Sequence, residues 1–117
     1  MASTLSGIST HILDISLGRP AAGVWVSLEK NQGESWTTLS RYATDSDGRV
    51  KQMLLKSEQL EAGEYRLTFE TGAYFEAVGA TGLYPVVQIT FAVRDGSGHY
   101  HIPLLLTANG YSTYRGS

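Results

Sequence analysis

The 117-residue sequence contains no cysteine, which excludes a disulfide scaffold and a catalytic thiol. It also lacks a cluster of basic residues: 9 lysines and arginines and 11 acidic residues are scattered along the chain, with a net charge of −2. A nucleic-acid partner is therefore not expected. No apolar run approaches the roughly 18 residues that a membrane span requires. Internal repeats, low-complexity tracts and linkers are also missing, so we expect one domain over residues 1–117.

Targeting signals are equally sparse in the sequence. The first residues lack the basic start and apolar centre of a secretory signal peptide. The last three residues, 115–117, differ from the peroxisomal targeting tripeptide. We therefore expect a cytoplasmic protein without a membrane partner; a peroxisomal location would require a targeting segment outside this sequence.

Short alternating segments separated by turn residues predict an all-β fold. The predicted strands are 8–17, 24–29, 35–42, 65–71, 86–93, 100–106 and 111–114, with a short apolar segment at 49–55 and a loop at 56–60. Helical spacing is confined to 73–80. Seven or eight short strands at regular spacing favour a β-sandwich.

The last nineteen residues predict a β-hairpin whose turn lies at 108–110. Side chains alternate between the faces of a strand, so residues 100, 102, 104 and 106 form an apolar core face. The other face carries His99, His101, Pro103 and Leu105. Two imidazoles and a proline are poorly suited to packing, and this face is a candidate wall for a polar pocket.

The residue types alone leave the roles of His11, His101 and Arg49 open. An imidazole on a strand can be a general base or an ordinary polar side chain, and an arginine after an Asp-Gly turn is commonly solvated. Three histidines could also supply nitrogens for zinc, although Arg49 beside a dication would be electrostatically unfavourable. The aspartates at 45 and 47 favour a turn over a calcium loop, because the twelfth position is Lys56 and not glutamate.

Three blocks occur in order along the chain: STHILD at 9–14 followed by GRPA at 18–21, TDSDGR at 44–49, and HYHIPLLL at 99–106 followed by YSTYRGS at 111–117. Together they resemble the signature of the transthyretin-like proteins that act as 5-hydroxyisourate hydrolases. The resemblance implies a transthyretin-like β-sandwich of two four-stranded sheets with one short helix. It also implies a homotetramer, a dimer of dimers, with its site in a channel between the dimers.

The function implied by this resemblance is hydrolysis of 5-hydroxyisourate, a purine-derived small molecule. Opening of its N1–C6 bond gives 2-oxo-4-hydroxy-4-carboxy-5-ureidoimidazoline, with no metal or other cofactor. The family pattern assigns the catalytic positions to His11, Arg49 and His101, and further site positions to the terminal Tyr114, Arg115, Gly116 and Ser117. We add Ser112 to the substrate-binding residues as a hypothesis. The histidines would activate water and Arg49 would orient the substrate; which histidine is the base stays open.

Two other functions compete with this interpretation. Transthyretin itself, a carrier on the same fold, has the tail and these polar residues replaced, so a non-catalytic carrier of a small aromatic ligand is the alternative. A purely structural sandwich that oligomerises through its edge strands is the third. A covalent route through Ser112 or Ser117 is less favoured than direct attack by water, because no G-x-S-x-G elbow exposes a serine.

Overall fold

The structure is a computed structural model that describes residues 7–54 and 59–117. These residues form nine strands and one helix, in the following order. The elements are β1 Gly7–Asp14, β2 Arg19–Pro20, β3 Trp25–Asn31, β4 Trp36–Ala43, β5 Arg49–Val50, β6 Gly63–Phe69, α1 Thr71–Ala77, β7 Val87–Val93, β8 His99–Thr107 and β9 Gly110–Thr113. No helix among the described residues is long and apolar enough to cross a membrane.

The strands form two sheets. The first has the order β2-β1-β8-β9, and β5 also pairs with β1; the second has the order β4-β3-β6-β7. Pairing between β1 and β8 is parallel, whereas the other strand pairs are antiparallel. The predicted all-β fold with two sheets and one short helix is confirmed. The first sheet has a fifth strand because β2 and β5, each of two residues, both lie along β1.

Apolar residues on alternate positions of both sheets make a common core. The predicted core face of β8 is confirmed, and the same alternation holds over residues 24–28 and in β6, where the inward apolar residues are buried. These residues are Val24, Val26, Leu28, Tyr65, Leu67, Phe69, Tyr100, Ile102, Leu104 and Leu106. Burial of each large side chain contributes about 1.5–3 kcal/mol before the cost of ordering the chain.

The predicted first strand is too long at its end, because β1 ends at Asp14 and not at residue 17. The Asp14 carboxylate accepts the backbone N–H of Leu17 at 3.0 Å, and its carbonyl accepts that of Gly18 at 2.8 Å, which turns the chain. Asp14 is only 1% exposed and also accepts the Tyr74 hydroxyl at 2.6 Å. Burial, followed by this hydrogen bond, raises the pKa of Tyr74 to about 12.

The predicted helix at 73–80 is displaced towards the carboxyl end. The observed helix, α1, begins at Thr71, whose buried hydroxyl donates to the carbonyl of Tyr84 at 2.7 Å. It ends at Ala77 because Gly79 follows with a φ of 75°, a conformation that stops helices. In the segment predicted at 49–55 only Arg49–Val50 is a strand, and residues 55–58, which include most of the predicted loop, lie outside the described residues.

Candidate active site

Strand β1 brings the predicted catalytic residues together along its two edges. On one edge it pairs with β8, where Ser9 lies opposite His101 and His11 opposite Pro103. On the other edge it pairs with β5, where His11 lies opposite Arg49. The first sheet therefore places one candidate residue on each of three adjacent strands.

A hydrogen-bonded turn positions Arg49 at the start of β5. The Asp45 carboxylate accepts the backbone N–H of Asp47 at 2.9 Å and that of Arg49 at 3.0 Å. These hydrogen bonds hold the pKa of Asp45 below its usual range, and the bond from the Arg49 N–H has the larger effect. Gly48 adopts a φ of 76° and its carbonyl accepts the N–H of Ile12 at 2.8 Å, which fixes the turn against β1. The Asp-Ser-Asp-Gly sequence thus sets the position from which the Arg49 side chain extends.

A pocket of about 190 Å³ opens beside these strands. This volume lies below the roughly 300–1,000 Å³ of sites for drug-sized ligands and indicates a small molecule. The lining residues are Ser9, Thr10, Arg49, Val50, Lys51, His99, His101 and Ser117. Two cationic side chains and two imidazoles, with no Asp or Glu side chain among these lining residues, favour a ligand that presents carbonyl or enolate oxygens.

His101 occupies the most constrained position in the pocket. Its Nδ1 lies 2.8 Å from the Ser9 hydroxyl oxygen, and its carbonyl accepts the backbone N–H of Gly116 at 2.8 Å. A Cβ on Gly116 would lie 2.5 Å from His101 Cδ2, so only glycine lets the tail approach the ring so closely. Burial, and then the charges of Arg49, His11 and His99, lower the pKa of His101. A neutral imidazole at this position is available to accept a proton.

The remaining predicted residues are distributed unevenly around the pocket. Ser117 lines it and Gly116 packs on His101, whereas His11 does not line it and lies opposite Arg49 in the pairing of β1 with β5. Arg115 points elsewhere: its guanidinium lies 4.2 Å from the centre of the Tyr100 ring and donates to the His99 carbonyl at 3.2 Å. Ser112 and Tyr114 are exposed, Tyr114 by 57%. Within one chain, Arg115, Ser112 and Tyr114 do not line this pocket.

Sequence reasoning missed four residues of the pocket: Ser9, Thr10, Lys51 and Val50. It placed His99 on the polar face of the strand but gave it no catalytic or binding role. The signal that could have identified Ser9 is its position two residues before His11, on the same strand face. The parallel pairing that places Ser9 against His101 joins residues 92 apart in sequence, and no local pattern predicts that.

A zinc site finds no support in the arrangement of the described side chains. Across residues 7–54 and 59–117, no group of three or more His, Asp or Glu side chains is placed to hold a metal ion. His99 and His101 instead both approach the hydroxyl of Ser9.

Known proteins resemble this chain in sequence and in overall fold. The sequence profile described as the HIUase/Transthyretin family matches residues 8–116. A 5-hydroxyisourate hydrolase of Caulobacter vibrioides is 46% identical over 117 residues, which cover 97% of this chain and 100% of the relative. The structure of Klebsiella pneumoniae 5-hydroxyisourate hydrolase superimposes with a TM-score of 0.83 at 45% identity, covering 96% of this chain and 100% of that one. Transthyretin from Sparus aurata gives a TM-score of 0.85 at 30% identity, covering 93% and 95%.

The two-sheet topology defines a transthyretin-type sandwich, and its first sheet carries the small cationic pocket. The chain belongs to the HIUase/Transthyretin family.

Proposed function

We propose that this protein is a 5-hydroxyisourate hydrolase that acts through His101, His11 and Arg49. The observation that carries the proposal is the meeting of a partly buried imidazole and a guanidinium in one small pocket, on strands β8 and β5. The relatives named 5-hydroxyisourate hydrolase match nearly the whole chain at 40–46% identity, which supports the same substrate here.

Hydrolysis of a cyclic amide requires a base for the attacking water and a donor for the developing oxyanion. His101 supplies the base, because its pKa is lowered by burial and by the neighbouring positive charges, which keeps it neutral. Arg49 supplies a planar, permanently charged donor for the oxygens of the ring. His11 lies opposite Arg49 in the pairing of β1 with β5, and its charge is among those that lower the pKa of His101. Gly116 and Ser117 close it from the carboxyl-terminal segment.

The test is the ultraviolet decay of 5-hydroxyisourate generated in place by urate oxidase, with the spontaneous rate as the blank. The wild-type protein should accelerate the decay, and His11→Ala, Arg49→Gln or His101→Asn should each lower turnover by at least about a hundredfold. Arg41→Gln is the matched control, because Arg41 lies on the second sheet, in β4, and forms an ion pair with Glu70. Near-wild-type turnover in all three site variants would refute the assignment.

The homotetramer predicted from the sequence is part of the proposal. Its support is the set of large apolar side chains that one chain leaves at the surface near the first sheet. Ile15 is 52% exposed, Leu17 50%, Tyr111 43% and Tyr114 57%. Tyr114 and Arg115 do not line the pocket of their own chain. In a tetramer they would contribute to the channel between subunits. A cytoplasmic location and a single domain over residues 1–117 stay predictions.

A non-catalytic carrier remains the second candidate because transthyretin from Sparus aurata shares the fold at 30% identity. The relevant solved example is described as sea bream transthyretin in complex with thyroxine. A carrier of an apolar ligand has no use for the cationic lining of Arg49, Lys51 and the two imidazoles. Absence of any acceleration by a folded tetramer, together with saturable binding of an aromatic ligand, would favour the carrier.

A further inference from the structure

The hydroxyl of Ser9 lies between two imidazoles. Ser9 Oγ is 2.9 Å from His99 Nε2 and 2.8 Å from His101 Nδ1. Ser9 is 7% exposed, His101 is half-buried and His99 is exposed, so the bridge runs from solvent into the pocket. All three residues line that pocket.

A serine hydroxyl has one proton to donate, and this couples the two rings. If Ser9 donates to His99 Nε2, it must accept a hydrogen bond from His101 Nδ1–H. Neutral His101 then has its lone pair on Nε2 and can act as a base. If instead His99 Nε2–H donates a hydrogen bond to Ser9, the hydroxyl proton is free for donation to His101 Nδ1. Neutral His101 then carries its proton on Nε2 and cannot accept one there.

We infer that Ser9 and His99 are positioning residues that hold His101 as the Nδ1–H tautomer, with Nε2 left as the base towards the substrate. The inference rests on the proposed hydrolase function, in which His101 activates water. Proton transfer from water to Nε2 makes an imidazolium whose Nδ1–H still donates to Ser9, so the same bridge stabilises the charged form. The hydroxide left by the water attacks the carbonyl, and the imidazolium returns the proton to the leaving nitrogen.

The coupling also gives a pH dependence to the site. A proton on His99 Nε2 frees the Ser9 hydroxyl to donate to His101 Nδ1, and this competes with the tautomer that leaves Nε2 as the base. Three elements contribute titratable or charged groups near His101. His11 comes from β1 and His99 from the same strand as His101, while Arg49 starts β5 and Lys51 directly follows it. The carboxyl-terminal segment adds Gly116 and Ser117, whose side chains carry no charge. After burial, the positive charges of Arg49, His11 and His99 favour the neutral imidazole of His101.

The direct test is long-range ¹H–¹⁵N NMR of the histidine side chains, with His101→Asn used for assignment. At a pH above the titration of all three histidines, wild-type His101 should be the Nδ1–H tautomer. Ser9→Ala and His99→Ala should move it towards Nε2–H, and Ser9→Thr, which keeps the hydroxyl, should retain Nδ1–H. An Nε2–H tautomer in the wild type, or an unchanged tautomer in both alanine variants, would overturn the inference.

Kinetics on the same variants separates positioning from structure. Ser9→Ala should lower kcat by at least about tenfold with little change in KM, a part of the roughly hundredfold or larger contribution of a general base. Ser9→Thr should retain kcat within about twofold, and circular dichroism should show that each variant is folded. His99→Ala, at an exposed position, covers the case in which Ser9→Ala does not fold. Wild-type kcat in both alanine variants would overturn the inference.

Failure of the proposed hydrolase function and failure of the positioning role give different results. If the wild-type protein does not accelerate 5-hydroxyisourate decay, the proposed function fails, while the NMR experiment still reports whether Ser9 sets the tautomer of His101. If the protein is an active hydrolase and the tautomer is indifferent to Ser9, only the positioning role is lost.

Discussion

The ring of His101 is confined on two of its edges. Ser9 Oγ lies 2.8 Å from Nδ1, and the backbone of Gly116 packs on Cδ2. Confinement matters because a catalytic group displaced by about 1 Å can lose about a hundredfold in rate. The carboxyl-terminal tail therefore acts on the site through contact with His101 as well as through its own side chains.

Replacement of Gly116 by alanine should displace the ring. The new Cβ would lie 2.5 Å from His101 Cδ2, so either the tail or the imidazole must move. We expect kcat to fall by about tenfold to a hundredfold with little change in thermal stability. Gly110→Ala is the matched control, because a Cβ there meets only Thr107 Oγ1 at 3.7 Å. Equal kcat values for the two variants would contradict a role for the tail in holding His101.

Charge at residue 49 should set the pH range of activity. Burial, and then the positive charge of Arg49, lower the pKa of His101 from the ordinary value of 6.5. The neutral base therefore persists below pH 6.5, and the acid limb of kcat/KM should lie below that value. Arg49→Gln removes a charge that opposes protonation, so the limb should move to higher pH, besides the loss in rate. Arg49→Lys keeps the charge and should leave the limb in place; a limb that is the same in both variants would refute this cause.

Among the structural elements, the turn between β4 and β5 has the most direct effect on the site. Its hydrogen bonds connect Asp45 to the start of β5, and the Gly48 carbonyl connects it to Ile12 on β1. Arg49 is thereby held opposite His11. Loosening this turn would separate the guanidinium from the imidazoles on the neighbouring strands.

Gly48→Ala should lower the free energy of unfolding for two reasons. A φ of 76° costs an alanine about 1–2 kcal/mol, and its Cβ would lie 2.5 Å from the Ile12 carbonyl oxygen, which adds about 1–3 kcal/mol of overpacking. Gly18→Ala isolates the first cost, because Gly18 has a φ of 68° and nothing within 4 Å of its Cβ position. In chemical denaturation, the free energy of unfolding of Gly48→Ala should therefore be lower than that of Gly18→Ala by at least about 1 kcal/mol. Equal losses would mean that the contact with β1 is relieved without cost.

Alternation predicted the buried face of β8 correctly because it is local: each residue's face follows from its neighbours two positions away. The predicted end of the first strand was wrong because Tyr74, a side chain of a distant element, buries Asp14 and favours a turn there. The parallel pairing of β1 with β8 could not be predicted from spacing, since long-range register depends on the whole fold. For this reason the resemblance supplied candidates for the site, while the role of Ser9 came only from the structure.

At the scale of the whole molecule, the first sheet presents a face that one chain does not cover. Leu13 and Leu105 are paired residues of β1 and β8 on the face opposite the core, and both are half-buried. Ile15 and Leu17 continue this face as exposed apolar residues in the turn after β1. A continuous apolar surface of this kind favours association between subunits.

Activity should therefore depend on protein concentration if the proposed channel site requires neighbouring subunits. A dilution series, sized by light scattering and assayed on 5-hydroxyisourate, should lose specific activity in step with dissociation. Leu17→Glu places a charge on the exposed apolar face and should move both transitions to higher concentration, since burying an unpaired charge is costly. Glu76→Gln, an exposed change on the helix, is the control that should move neither. Because Ser9, Arg49 and His101 line one pocket within a single chain, full activity in a demonstrated monomer would show that this pocket suffices and that the interface serves stability alone.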